Sequence, residues 1–557
     1  MQSPLYGKGE KRMKKFLKSA VLLCLAVLIL VAAVSCKKDN GEAPEAPAVT
    51  PQAHEHVFQS PTVVKNGTCI EDGKQTAACE CGVVKVTLLP ATGNHTYENK
   101  VCTVCGRKDP TGLTEPLLCG DVLSSYVIVY DKNASDYTVR AAEYIAKEIL
   151  TRTNISLPVV PLEESTEVNA HEIVVGETSR QISQNLDAQT EGFEFAFLAN
   201  EDHIAIEGDY FIIAAAAYYF VENYIPEAIF DIDVPQTTSV CTPIVKETEN
   251  FIVLIGDGMG PVQTTLFDAY ADNPVAEFGD GENFFYGNLF PYVGQVRTNS
   301  LSGITDSAAA GTALATGYKT NNGSVGRNSE NKDVPNITEF AAEKGKATAV
   351  MSTEKQTGAT PASFSAHVYH RSNAGPIQKS QDALVEKYGT IINCGYDVYT
   401  EAEMVNLRNA ITETLAELSK DEDGFFMMYE EAYIDKHCSG LDVEKAYLSM
   451  VRFNQAIALF MEYAFYNPET MVIITADHET GGLHLDENGE FQFVSADHTA
   501  ANVNVYAYGT YANVFDGKTI ENVQIPKTLA AIFGVKIEGT DPTQYPSLLP
   551  IMIRDAK

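Results

Sequence analysis

Continuous apolar runs, each leading to an acidic residue, dominate the second half of the chain. Phe251-Ile252-Val253-Leu254-Ile255 runs into Gly256-Asp257-Gly258-Met259-Gly260, and Met471-Val472-Ile473-Ile474-Thr475 delivers Ala476-Asp477-His478-Glu479-Thr480-Gly481-Gly482. Phe425-Phe426-Met427-Met428-Tyr429 precedes Glu430. Short apolar runs of this kind predict buried strands, and the glycines around Asp257 let the backbone turn tightly about a carboxylate. A different pattern fills Thr305 to Gly317, where small residues follow Asp306-Ser307. Asp and Ser are ordinary caps, so this segment predicts a helix beginning at Ser307. Upstream, Tyr126 to Tyr130 reads as a strand, and Val139, Ala142, Ile145, Ala146 and Ile149 recur on one helical face. Phe193, Phe195 and Phe197 alternate toward a turn at Asn200-Glu201-Asp202, with Ile204 and Ile206 beyond it, which predicts a hairpin.

With 557 residues the chain is longer than one core usually serves, and its 45% hydrophobic content fits ordinary globular packing. Lys14, Lys15 and Lys18 precede an apolar run from Ala20 to Val34 that is short for a membrane span and suits a signal segment. Ala33-Val34-Ser35-Cys36 reads as a lipobox, with Cys36 the acylated first residue of an exported protein anchored at a bacterial cell envelope. The expected organisation is a signal segment over 1–36, a Pro/Ala/Glu-rich tether over 37–55, a Cys/His-rich module over 56–110, an α+β unit over 117–245 and a larger domain over 249–557. In the small module Cys69, Cys79, Cys81, Cys102 and Cys105 are interleaved with His56 and His95. Two Cys pairs followed by Gly favour a structural zinc site, with disulfides the competing reading for an exported protein. The module resembles the zinc-ribbon-like repeats of bacterial surface proteins. The 117–245 unit is similar to the non-catalytic amino-terminal domain of hexosaminidases and α-glucuronidases, and a cell-surface glycan is the partner expected for such a unit. Cys119 and Cys241, near its two ends, are candidates for a disulfide, because domain termini are often close in space. The formal net charge of −34 argues against binding nucleic acid or an anionic membrane through a basic face, and any anionic ligand must be captured by local positive charge.

Ser307 offers a hydroxyl nucleophile at a helix start, where free backbone N–H groups and the positive dipole end favour an anion. A Ser hydroxyl is a poor nucleophile near neutral pH unless its pKa is lowered. The acids and imidazoles at the strand ends are a donor mixture for Zn2+, which takes His nitrogen and carboxylate, and Mg2+, which takes oxygen ligands and water. Asp257, Asp306-Ser307-Ala308, Ala359-Thr360-Pro361-Ala362 with Arg371, Glu430 with Asp435, Asp477-His478 and His498 follow in an order that resembles the alkaline phosphatases over residues 249–540. The resemblance implies a three-layer α/β/α sandwich and a phosphate monoester hydrolase working through a phosphoserine at Ser307. It implies Asp257, Asp477 and His478 as ligands of a zinc beside Ser307, Asp257 with Thr360 and Glu430 for magnesium, and Asp435 with His498 for the first zinc, which serves the leaving group. Arg371 would hold two phosphoryl oxygens with its planar fork, and Lys436 would add positive charge near the phosphate.

One position departs from that family: a His is expected four residues after the zinc Asp, and this chain has Ser439. His437 lies only two residues from Asp435, off its helical face, and Cys438 is a further soft donor whose simpler reading is a buried apolar residue. The first zinc is therefore expected to be a ligand short unless His437 turns toward it. Alternatives in the same sequence space are a phosphodiesterase, or a surface binding protein whose phosphatase domain is weakened at Ser439. A sulfatase is disfavoured, because Ser307 is followed by Ala308 and Ala309 instead of opening a Cys/Ser-x-Pro-x-Arg segment. Glu431 reads as solvated, His367 and His370 as packed or surface residues, and His484 as a candidate for the pocket lining.

Overall fold

The computed structural model describes residues 60, 62–66, 73–78, 84–89, 96–98, 101–104, 115–163, 168–186, 190–200, 202–225, 231–267, 284–396 and 400–537. The chain divides into two compact units, Met1–Asn94 and His95–Lys557. In the first, Thr62–Lys65, Gly73–Ala78 and Val84–Leu89 form an antiparallel three-stranded sheet. Cys36, Cys69, Cys79, Cys81, Cys105, His56 and His95 lie outside the described residues, as do the apolar run and the tether. Cys102 ends a two-residue strand paired with Tyr97–Glu98. Among the described residues no helix is long and apolar enough to cross a membrane.

The second unit opens with a six-stranded sheet built from β1 (Tyr126–Asp131), β2 (Val159–Leu162), β3 (His171–Val175), β4 (Phe195–Ala199), β5 (His203–Glu207) and β6 (Ser239–Cys241), in the order β6-β4-β5-β3-β1-β2. The predicted hairpin is the antiparallel pair β4–β5. Helix α1 (Asp136–Thr153) is capped by Ser135, which accepts from Thr138 N, and turns Ala141, Ala142, Ile145 and Ile149 inward. It packs on α2 (Ile213–Tyr224). Cys119 and Cys241 do not form the expected disulfide. Cys119 Sγ accepts from Val234 N at 3.5 Å while Cys241 lies against Tyr219, so each sulfur is engaged by a different neighbour.

The larger sheet contains β7 (Asn250–Gly256), β8 (Tyr292–Arg297), β9 (Ala347–Ser352), β10 (Ile391–Cys394), β11 (Phe425–Glu431), β12 (Thr470–Thr475), β13 (Val503–Tyr508) and β14 (Thr519–Glu521), in the order β10-β9-β11-β7-β12-β13-β8-β14. Helices α3 (Ser307–Thr316), α4 (Ile337–Glu343), α5 (Ala359–Ser363), α6 (Ala374–Tyr388) and α10 (Gln524–Ile532) contact one another on one face. On the other lie α7 (Glu401–Leu418), α8 (Tyr433–Ser439) and the long α9 (Val443–Tyr466). This is a three-layer α/β/α sandwich. Strands β7, β11 and β12, covered on both sides, are buried at every position, which is why they read as unbroken apolar runs. Parallel register sets Ile255 opposite both Glu430 and Thr475, and Ser352 opposite Glu430, so four neighbouring strands end at one level. The carboxyl ends of such strands are where ligands bind in open α/β sheets.

The two sheets share one hydrophobic core. Helix α2 packs on α9, Arg140 donates to both carboxylate oxygens of Glu462 at 2.8 Å, and the Tyr144 and Tyr466 rings meet at 4.3 Å. Phe193 wedges between Phe290, Phe465 and Tyr508.

Candidate active site

Each site residue is carried by an element whose local sequence explains its place. Asp306 is the cap of α3: its Oδ1 accepts from Ala309 N at 2.9 Å, and its Oδ2 accepts from Gly323 N at 3.0 Å and from Arg371 Nη1 at 3.4 Å. One carboxylate thus starts the helix at Ser307 and tethers Arg371 beside it. The helix consists of small residues because it is buried along its whole length. Ser307 Oγ lies 3.2 Å from His478 Nε2.

Asp257 follows β7 and Asp477 follows β12. Asp477 Oδ1 accepts from Gly258 N at 3.1 Å and His478 N at 2.9 Å, which leaves its Oδ2 directed at His478 Nε2, 3.2 Å away. Asp257 Oδ1 lies 3.5 Å from the same nitrogen. Among the described residues two sets can hold a metal ion: Asp257, Asp477 and His478, and Asp435, His478 and His498. The structure therefore brings His478 to both sets, where the family resemblance gives it to one. In the second set Asp435 Oδ1 lies 3.4 Å from His498 Nε2 and accepts from Thr480 Oγ1 at 2.5 Å. His498 Nδ1 donates to Thr305 O at 2.9 Å, which leaves Nε2 as the ligand atom. The His478 and His498 rings stack at 3.5 Å.

A third cluster lies behind the first. Glu430 is fully buried at the end of β11, and its Oε2 accepts from Ser352 Oγ at 2.5 Å. Thr360 is fully buried in α5, its hydroxyl beside the Glu430 carboxylate. Burial, then the neighbouring Glu354 charge, pushes the Glu430 carboxyl well above its usual range, and burial with the Asp477 and Asp435 charges does the same to Asp257. Asp257 Oδ1, Asp477 Oδ2, Glu430 Oε1 and Thr360 Oγ1 are buried with no hydrogen-bond donor. Buried carboxylates without donors are expensive unless a cation compensates them. The donor set fits zinc at the two His-containing sets and magnesium at the all-oxygen cluster of Asp257, Thr360 and Glu430.

The segment around Ser439 differs from the simplest expectation. Its residue sits in α8 four places after Asp435, but His437 is turned away, with Nδ1 2.9 Å from Ser449 Oγ. Cys438 is buried against Gln263, and burial raises its thiol pKa. Neither joins the Asp435 set. Lys436 Nζ is 3.3 Å from Glu354 Oε2. Glu431 is not solvated: it is fully buried and paired with Arg452 at 2.9 Å, because the next turn of chain folds under α9. His367 is packed between Gly326 O and Glu339, and His484 is exposed. Sequence reasoning missed Ser352, Glu354 and Thr480, which act through other side chains and carry no motif of their own.

The alkaline phosphatase family model matches residues 248–395 and 393–495. Residues 248–495 are thus similar to the alkaline phosphatase family. Alkaline phosphatase 3 of Bacillus subtilis (strain 168) is 28% identical over 303 residues, 45% of this chain and 65% of that protein. The alkaline phosphatase of Escherichia coli (strain K12) is 26% identical over 418 residues, 52% of this chain and 87% of its own. The chain thus spans less than two thirds of the Bacillus relative it matches. The solved alkaline phosphatase of the Antarctic bacterium TAB5, 22% identical, aligns with 56% of this chain and 100% of its own at a TM-score of 0.45. Residues 117–245 and the Cys/His-rich module lie outside the alkaline phosphatase match.

Proposed function

We propose that the protein hydrolyses phosphate monoesters through a phosphoserine at Ser307. The observation that carries this reading is the placement of the Ser307 hydroxyl, at the start of a buried helix and 3.2 Å from His478 Nε2, the nitrogen that also meets the Asp257 and Asp477 oxygens that no donor satisfies. Ser307 Oγ attacks phosphorus, the bond to the leaving oxygen breaks in line, and water then cleaves the Ser307 phosphoester. Arg371, held by Asp306, presents its fork to two phosphoryl oxygens, and the N–H groups of the first turn of α3 face the same anion. When bound, zinc at the two His-containing sets and magnesium at the third would lower the pKa of the hydroxyl and stabilise charge on the attacking and leaving oxygens. Residues 1–36 further support export and acylation at Cys36; changing Cys36 to Ala should release the protein from membranes or block its processing.

The test is turnover of a chromogenic monoester and the corresponding diester, with Ser307→Ala beside the native protein. The expected result is preference for the monoester and a loss on the order of a thousandfold or more in Ser307→Ala with folding intact. Near-native activity of Ser307→Ala would overturn the phosphoserine route, and diester preference would make the protein a phosphodiesterase.

A further inference from the structure

Glu354 has no place in the metal sets, yet it sits at the meeting point of three parts of the site. Its backbone N–H donates to Ser352 Oγ at 3.0 Å, the same hydroxyl that donates to Glu430. Its Oε2 is 3.3 Å from Lys436 Nζ, whose other neighbour is the Tyr433 ring, 4.0 Å away. Its Oε1 and Cδ lie against Gly358, the residue that caps α5 and stands two places before Thr360. A methyl group on Gly358 would overlap both atoms. The glycine is not there for its backbone angles, since φ −59° and ψ 161° suit any residue. The room above its α-carbon is filled by the carboxylate.

We propose that Glu354 is a positioning residue: seated over Gly358, it holds Lys436 toward the phosphate through Oε2 and turns its other oxygen to the Asp257–Thr360–Glu430 cluster, where it accepts hydrogen bonds from the water of a hard cation. The proposal rests on the monoesterase reading for the phosphate and on the all-oxygen cluster for the cation. Magnesium keeps several waters in protein sites, and a carboxylate beside them strengthens the site without entering it. A nearby anion also keeps Lys436 charged and ordered, whereas an unpaired Lys on the exposed last turn of a short helix would sample many rotamers. Gly358 and Glu354 then form a matched pair, with the carboxylate supplied from four residues upstream because position 358 has no side chain.

The test uses the full-length protein, stripped of metal and reloaded with zinc. Magnesium binding is followed by calorimetry, and inorganic phosphate by competitive inhibition and by direct titration. Glu354→Gln should weaken magnesium binding by about tenfold and phosphate binding severalfold, with zinc content and melting temperature unchanged. In a double-mutant cycle, Lys436→Ala should cost phosphate affinity in the native background and little in Glu354→Gln. Moving the acid tests the geometry: Glu354→Ala combined with Gly358→Asp puts a carboxylate into the same space at a capping position and should restore magnesium affinity, while Glu354→Ala alone should not. Unchanged magnesium and phosphate affinity in Glu354→Gln, or additive effects of the Glu354 and Lys436 changes, would overturn the proposal. Because magnesium binding is read without turnover, an inactive native protein would sink the monoesterase reading and leave this measurement standing.

Discussion

The two His-containing metal sets share His478 but treat their charge in opposite ways. In the Asp435 set the acid and His498 form an ion pair at 3.4 Å. Burial alone would lower the imidazole, but the Asp435 hydrogen bond outweighs it and holds His498 at about 9; burial of Asp435 is likewise outweighed by that bond, which brings it to about 2. In the Asp257 set two acids point orphaned oxygens at His478, whose protonation burial disfavours. Without metal, one set is balanced by a proton on His498 and the other by a proton on Asp257, whose carboxyl burial and the Asp477 and Asp435 charges push well above its usual range. Both sets would therefore hold a cation in competition with protons, displaced from an imidazole in the Asp435 set and from a buried carboxyl in the Asp257 set.

The largest effect should come from the Asp257 set, which lies beside Ser307. Asp477→Asn removes a charge that two backbone N–H groups have aimed, and turnover should fall on the order of a thousandfold with zinc at that set lost. A fall no greater than that of Asp435→Asn, measured at saturating zinc, would erase the contrast. Next is Arg452→Met, which strands the buried Glu431 charge and releases Ser449, the partner of His437 beside Asp435. It should cost about 3–5 kcal/mol of unfolding free energy and leave zinc affinity at the Asp435 set as it is; denaturant titration with and without zinc checks both.

Ser439→His restores an i, i+4 pair with Asp435 and should tighten zinc at that set by about tenfold, visible as activity at lower free zinc. His437→Ala should leave zinc affinity as it is and cost about 1 kcal/mol through the lost Ser449 contact. A drop in zinc affinity there would mean that His437 turns inward when metal is present.

The smallest effect is a pH dependence in metal-stripped protein. His498 is raised from 6.5 to about 9, so its contribution to stability is fully present below pH 6.5 and is lost as pH rises through 9; Asp435 is lowered from 3.8 to about 2, so its contribution is present above 3.8 and lost as pH falls through 2. The stability difference between native protein and His498→Ala should be greatest between pH 4 and 6.5 and shrink toward pH 9. A difference that stays flat from pH 6 to 9.5 would contradict the ion pair.

The strands that carry the site, the small-residue helix and its cap, and the order of Asp257, Ser307, Thr360, Arg371, Glu430, Asp435, Asp477 and His498 were legible from residue pattern alone. Those features are local: a strand buried on both faces has to be apolar at every position, and a helix packed on all sides has to be small. What lay between the elements was decided only by tertiary structure. Glu431 is adjacent to Glu430 and chemically identical, yet it serves Arg452 because successive residues of a strand face opposite layers. His478 belongs to both metal sets because β7 and β12 are neighbours in register while α8 and the His498 strand close over them. Glu354 meets Lys436 across 82 positions of sequence, counted from 354 to 436, only because β9 and β11 pair in parallel and bring their following loops together. Spacing along a chain reports the face of one element; it carries no record of which loop a sheet will set beside another.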